Sequence, residues 1–249
     1  MNFVGIIPAR YASTRFPGKP LADVGGKPMI RRVYEQVQRT FAHVFVATDD
    51  DRIIAAVKEF GGNVIATAAS HQSGTDRCAE AILKIEATLG QKFDVVVNIQ
   101  GDEPFIAPQQ LEQLKGCFAD ESVQLATLVK IFDKSEDVFS PNSPKVVADA
   151  NGYALYFSRS VIPYLRNAPQ QAQWPDAYPF YKHVGLYAYR TDVLQRIHRL
   201  PQSPLEIAES LEQLRWLENG YRIKVAVTEL ETWAIDTPED LEKVKEKFL

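Results

Sequence analysis

The stretch FDVVVNIQGDEP, residues 93–104, constrains the fold more than any other part of the chain. Its apolar run is nearly continuous and lacks the alternation of a strand with one wet face, so it reads as a central strand covered on both sides. The surrounding pattern agrees. FVGII, HVFVATDD and NVIATA read as strands, with PMIRRVYEQVQRT, DRIIAAVKEFGG and TDRCAEAILKIEATLG as helices between and after them. Pro28 suits a first helical turn, Met29, Val33, Val37 and Phe41 recur at helical spacing, and Thr75 or Asp76 is expected to cap the third helix. This βαβα order predicts an α/β fold with a mixed, mostly parallel central sheet and helices on both faces.

From about Val123 the pattern changes. VQLATLVKIF, KVVADANGYALYFSR and HVGLYAYR are strand-like, and the proline-rich NAPQQAQWPDAYPFY predicts a long loop near 166–181. We expect one domain over 1–249, with a smaller antiparallel excursion at about 123–200. SPLEIAESLEQLRWLENG predicts a single helix with Leu205, Ala208, Leu211 and Leu214 as its buried stripe. TPEDLEKVKEKF predicts a terminal helix capped by Thr237.

Composition limits the partners. The 249 residues carry 28 Lys plus Arg against 32 Asp plus Glu, a formal charge of −4, which gives no general attraction to nucleic acid or a membrane surface. Any anion must be held by a local cluster. Cys78 and Cys117 make neither a metal-ligand set nor a disulfide framework. No signal-peptide pattern and no run of membrane-spanning length is present, so a soluble cytoplasmic protein is expected.

In such sheets ligands bind beyond the carboxyl ends of the strands. There PARYASTRFPGKP presents Arg10, Arg15 and Lys19 among small residues, with Ser13 and Thr14 as local donors and Gly18 allowing close approach. It matches neither a P-loop nor a dinucleotide fingerprint. Its two readings are an anion site suited to phosphate oxygens and a solvated basic loop. IQGDEP delivers Gln100, Asp102 and Glu103 to the same side; Asp102 suits a hard divalent cation, or is simply a turn residue. Asp236 in WAIDTPEDL repeats the design. HQSGTDR, with Ser73 and Arg77, is either a capped helix start or part of a nucleotide pocket. His183 reads as a structural histidine, and no nucleophile elbow is present.

The motifs IIPARYASTRFPGKPL, HQSGTDRCAEA, VVNIQGDEPFI, KHVGLYAYR, SPLEIAESLEQLRWLENG and WAIDTPEDLEKV together resemble the 3-deoxy-manno-octulosonate (Kdo) cytidylyltransferases, the CMP-Kdo synthetases, over essentially the full length. The resemblance implies a Rossmann-like nucleotidyltransferase fold and a homodimer. It implies transfer of CMP from CTP to Kdo, with release of pyrophosphate, for lipopolysaccharide synthesis. It places Arg10, Arg15 and Lys19 on the triphosphate, Ser73 and Arg77 in the nucleotide pocket and Gln100 between nucleotide and sugar. Asp102 and Asp236 correspond to the Mg²⁺ carboxylates. Arg159, His183, Tyr187, Glu209, Glu212 and Gln213 fall in sugar-facing motifs, with Arg159 a candidate receptor for the sugar carboxylate. On one helix Glu209, Glu212 and Gln213 would form a polar wall. TWAID departs from the family's usual Gly and Val before the distal aspartate. The competing functions are a cytidylyltransferase for another acidic sugar, such as a sialic acid, and a non-catalytic nucleotide-sugar sensor.

Overall fold

The structure, a computed structural model, describes residues 1–12, 15–168 and 170–248. Strand β1 (Phe3–Ala9) is followed by α1 (Met29–Val37), β2 (Val44–Thr48), α2 (Asp51–Glu59), β3 (Val64–Ala66), α3 (Gly74–Leu89), β4 (Val95–Asn98) and α4 (Pro108–Gly116). The chain continues through β5 (Leu125–Ile131), β6 (Lys145–Ala148), β7 (Ala154–Ser158), α5 (Trp174–Ala177), β8 (Tyr181–Arg190) and α6 (Thr191–Ile197). It ends with α7 (Pro204–Glu209), α8 (Gln213–Glu218), β9 (Ile223–Val227) and α9 (Pro238–Phe248). Two compact units result. One comprises residues 1–112, 188–198 and the segment from Thr232 onward; the other comprises 113–187 and 199–231.

In the first unit β1 pairs in parallel with β2 and β4, and β2 with β3, giving the order β3-β2-β1-β4. Val4, Ile6 and Ile7 of β1 and Val95, Val96 and Val97 of β4 are all fully buried, as their unbroken apolar runs demand. Gly5 is the close-approach point of this core. A Cβ there would lie 2.8 Å from Val37 Cγ1 and 3.3 Å from Ile99 and Phe41 side-chain atoms. Gly5→Ala is therefore expected to destabilise the protein by about 1–3 kcal/mol through overpacking, measured by urea denaturation.

Helix α3 starts earlier than the sequence suggests. Ser73, not Thr75 or Asp76, is the cap: its Oγ accepts from the Asp76 N–H at 3.1 Å while Asp76 accepts from the Ser73 N–H at 3.2 Å. Thr75 is buried inside the first turn. Thr237 does cap α9, its Oγ1 accepting from the Asp240 N–H at 3.2 Å.

The second unit is mixed. β5 and β9 run parallel, whereas β6 pairs antiparallel with both β7 and β8. The 166–181 stretch is not bare loop: α5 places Trp174 in an apolar cluster with Val138 and Phe180, and its Nε1 donates to Ala168 O at 2.7 Å.

The expected single helix over SPLEIAESLEQLRWLENG is two helices, α7 and α8, parted at Ser210 with φ 51°. Leu205 and Ala208 are exposed, not buried, and Glu206 is buried in their place. The reason is a bidentate pair. Arg215 donates from Nε to Glu206 Oε2 at 2.8 Å and from Nη2 to Oε1 at 2.6 Å. Residues nine apart on one helix sit on opposite faces, about 13 Å apart along the axis. The pair can form only if the helix breaks.

Candidate active site

The sequence places a cationic loop after β1 and an acidic turn after β4, and parallel pairing brings both to one end of the sheet. There a pocket of about 440 Å³ opens, lined by Pro8, Arg10, Arg15, Lys19, Ser73, Gly74, Gln100, Gly101 and Asp102 among others. Gly101 lets β1 approach closely, since a Cβ would lie 3.1 Å from Pro8 O, a tight contact.

A 3₁₀ turn at Lys19–Leu21 aims the Lys19 ammonium at two carboxylates. It donates to Asp102 Oδ2 at 2.6 Å and to Asp236 Oδ1 at 3.3 Å, and Arg15 Nη2 donates to the same Asp236 oxygen at 3.1 Å. The two aspartates are held side by side by main chain, the Ile235 N–H donating to Asp102 O at 2.9 Å. The TWAID departure is absorbed by packing: Ile235 is fully buried with Val24, Met29, Leu241 and Val244. Trp233 meets Phe248 edge-on and receives the Lys247 ammonium over its face at 3.6 Å.

Glu103 is not a partner in this cluster. It is buried, and burial together with neighbouring Asp102 pushes its carboxyl up to about 8. At neutral pH the Glu103 carboxyl is thereby biased toward its neutral form.

The structure brings Arg10, Arg15, Lys19, Ser73, Gln100 and Asp102 to the pocket, with Asp236 bonded to Arg15 and Lys19. Arg77 does not line it. Its buried guanidinium is held by Asp49 at 2.7 Å and Thr67 Oγ1 at 2.6 Å, which follow β2 and β3. Ser13 lies outside the described residues. The loop before α3 is tied down by His71, which bonds Glu80. Burial favours the protonated form of Glu80, but hydrogen bonds from Lys84, the Ala68 N–H and His71 hold its carboxyl down to about 2.

The six sugar-facing candidates all belong to the second unit. Glu209 accepts from Ser158 Oγ at 2.6 Å and from the Arg159 N–H at 2.8 Å. The Arg159 guanidinium donates to Glu209 O at 2.6 Å, Pro141 O at 2.9 Å and Ser210 O at 3.3 Å, so it clamps the α7–α8 break. The shared helical face expected for Glu209, Glu212 and Gln213 does not exist, because the break separates Glu209 from the other two. Gln213 is buried, and its Nε2 has no hydrogen-bond partner among the described residues. Tyr187 lies edge-on to Trp216, with centroids 5.1 Å apart.

His183 packs between Phe157 and Tyr187, each 5.2 Å away by ring centroid, with Nε2 3.1 Å from Thr127 Oγ1. Burial lowers it from 6.5 to about 4. Between those values the unfolded chain binds a proton that the folded protein refuses, so this contribution to stability falls as pH falls. The expected slope is at most about 1.4 kcal/mol per pH unit. Thermal unfolding across this range should show a shallower pH slope for His183→Phe; an unchanged slope would exclude His183 as its source.

A second acidic cluster escaped the sequence reading. Asp133, Glu136 and Glu231 offer oxygens within 4.8 Å of one another, close enough to coordinate a divalent cation. Two ammonium groups occupy them here. Lys130 lies 2.7 Å from Asp133 and 3.4 Å from Glu231, and Lys182 bonds Glu136 and, at 2.9 Å, Glu231. No helix among the described residues is long and apolar enough to cross a membrane.

The chain is similar to known proteins over nearly its whole length. A family model described as Cytidylyltransferase matches residues 4–224. The 3-deoxy-manno-octulosonate cytidylyltransferase of Parabacteroides distasonis is 63% identical over 98% of this chain and 96% of its own length. That of Bacteroides thetaiotaomicron is 61% identical over 100% and 98%. The solved structure of CMP:2-keto-3-deoxy-manno-octonic acid synthetase complexed with CTP superposes with a TM-score of 0.90 at 45% identity, covering 99% of this chain and 98% of that one.

Proposed function

Because the chain belongs to the 3-deoxy-manno-octulosonate cytidylyltransferases, which have a mixed, mostly parallel Rossmann-like nucleotidyltransferase fold, we propose how its residues divide the work. The protein is an enzyme that transfers CMP from CTP to Kdo, forming CMP-Kdo for lipopolysaccharide biosynthesis. The reaction needs no enzyme nucleophile: the sugar C2 hydroxyl attacks the α-phosphorus in line and loses its proton to solvent as the bond to pyrophosphate breaks. Arg10, Arg15 and Lys19 hold the triphosphate and stabilise charge gathering on the leaving pyrophosphate. Ser73 and Gln100 line the nucleotide side of the pocket, while Arg77, paired with Asp49, fixes the helix behind it.

The observation that carries this reading is the Lys19 ammonium shared by Asp102 and Asp236. Two carboxylates converging on one cation are a donor set that fits Mg²⁺, which takes one or two carboxylates alongside substrate phosphates. When bound, Mg²⁺ would neutralise phosphate charge and orient the attacking hydroxyl. Arg15 and Lys19, which bond these carboxylates here, would then have donors for phosphate oxygens.

In the second unit His183, Tyr187, Glu209, Glu212 and Gln213 are the sugar contacts of this proposal, and the buried Gln213 amide is the donor awaiting an acceptor. Arg159 commits three donors to carbonyls and keeps the remainder for the sugar carboxylate. The same unit exposes Leu155, Tyr164 and Ile207, and we assign the homodimer contact to it. We assign the enzyme to the cytoplasm.

Incubation with CTP, Mg²⁺ and Kdo should yield CMP-Kdo and pyrophosphate, with far less product from a sialic acid. Nucleotide binding without product would favour a sensor. For the clamp, Arg15→Ala should weaken CTP binding; unchanged affinity together with unchanged turnover would remove Arg15 from it.

A further inference from the structure

The loop that carries Arg10, Arg15 and Lys19 is long, charged and close to solvent, so something must fix where its cations point. Lys19 and Arg15 reach the aspartates only if the loop base is held. A main-chain hydrogen bond closes the base, from the Gly18 N–H to Tyr11 O at 2.9 Å. Gly18 has φ +72°, and a Cβ on it would meet the Tyr11 ring and hydroxyl at 3.1 Å. One side of Tyr11 therefore lies against the glycine that precedes Lys19. The guanidinium of Arg52, from α2, stacks over its ring at 3.2 Å from the centroid.

Arg52 is itself pinned. Its Nε donates to Asp50 Oδ1 at 2.9 Å and its Nη2 to Asp50 Oδ2 at 2.6 Å. Asp50 caps α2, accepting from the Arg52 N–H at 3.0 Å. A rigid helix start thus reaches the loop through Asp50, Arg52, Tyr11 and Gly18 in turn, ending one residue before Lys19. Surface arginines rarely gain from stacking alone, but a guanidinium already oriented by a bidentate carboxylate loses little further freedom on meeting a ring.

We propose that Tyr11 and Arg52 form a latch that sets the position of the triphosphate loop, making both positioning residues for nucleotide binding. Neither touches substrate in this assignment. The proposal rests on the reading of Arg15 and Lys19 as the triphosphate clamp. It predicts that the latch acts on CTP affinity and leaves the chemical step alone, because the groups acting on the transition state are intact once the loop is seated.

Four variants test it: Arg52→Ala, Tyr11→Leu, their double, and Tyr11→Phe. Steady-state kinetics with CTP and Kdo, thermal unfolding, and calorimetric titration with inorganic pyrophosphate are the readouts. Arg52→Ala and Tyr11→Leu are each expected to raise KM for CTP and weaken pyrophosphate binding by about five-fold, the scale of one cation–π contact. kcat and Tm should stay near wild type. The double variant should be no worse than Tyr11→Leu, since both remove one interaction. Tyr11→Phe, which keeps the ring, should bind CTP as the wild type does.

Unchanged CTP affinity in Arg52→Ala, or additive losses in the double variant, would overturn the latch. So would equal losses in kcat and Tm with KM unmoved. A Lys19→Met variant separates this from failure of the clamp: if it binds pyrophosphate normally, the clamp reading falls with the latch. If it loses binding while the latch variants do not, the latch alone is wrong.

Discussion

Asp102→Asn is expected to lower CTP-dependent pyrophosphate release by about 10²–10³-fold, the loss typical of removing one preorganised electrostatic group from a transition state. The substitution keeps the shape of the side chain and leaves the main-chain bond from Ile235 to Asp102 O intact, so the fold should not change. The neighbouring Glu103 is buried and its carboxyl pushed up to about 8, which favours the neutral carboxyl at pH 7. Glu103→Gln is the matching control, replacing a neutral carboxyl by a neutral amide, and turnover should remain near wild type. Near-wild-type turnover of Asp102→Asn at limiting Mg²⁺ would sink the assignment of Asp102 to the metal. A severe loss in Glu103→Gln would show that the charge lies on the wrong residue in this account.

The largest expected loss of stability is at Glu206. Glu206→Ala strands the guanidinium of Arg215, 8% exposed, without its bidentate partner and removes half of the capping box with Ser203. Breaking one side of a buried pair costs about 3–5 kcal/mol, a large part of the 5–15 kcal/mol that holds a typical domain together. Urea denaturation of the single variant should show this loss, and Glu206→Met with Arg215→Met should recover much of it, since no buried charge then remains alone. If the double variant is as unstable as the single one, the pair contributes by cap and packing and not by charge.

The sheet of the first unit was legible because its strands are apolar without interruption, and their parallel order places the loop of Lys19 and the turn of Asp102 at one end of it. The α7–α8 break was not. Leu205, Ala208, Leu211 and Leu214 keep helical spacing across Ser210, and periodicity cannot register one residue turned to φ 51°. What decides the break is the long-range demand of Glu206 and Arg215, together with the Arg159 clamp on Glu209 and Ser210. The pairing of Arg77 was hidden for a related reason. A basic residue in a donor-rich loop looks available until its partner, Asp49 on a different element, is brought beside it by the fold. Tyr11 offered no signal at all, since an aromatic between charged residues has no meaning until Arg52 stacks on it.

The main-chain bond between Ile235 and Asp102 also sets a schedule. The acidic pair is drawn from positions 102 and 236, far apart along the chain. The first strands can form while the rest is still being synthesised, because domains tend to organise from the N-terminus onward. An unfinished chain would hold the cationic loop and Asp102 but not Asp236. Fragments truncated before Trp233 lack this second carboxylate and are expected to release no pyrophosphate from CTP in the presence of Kdo.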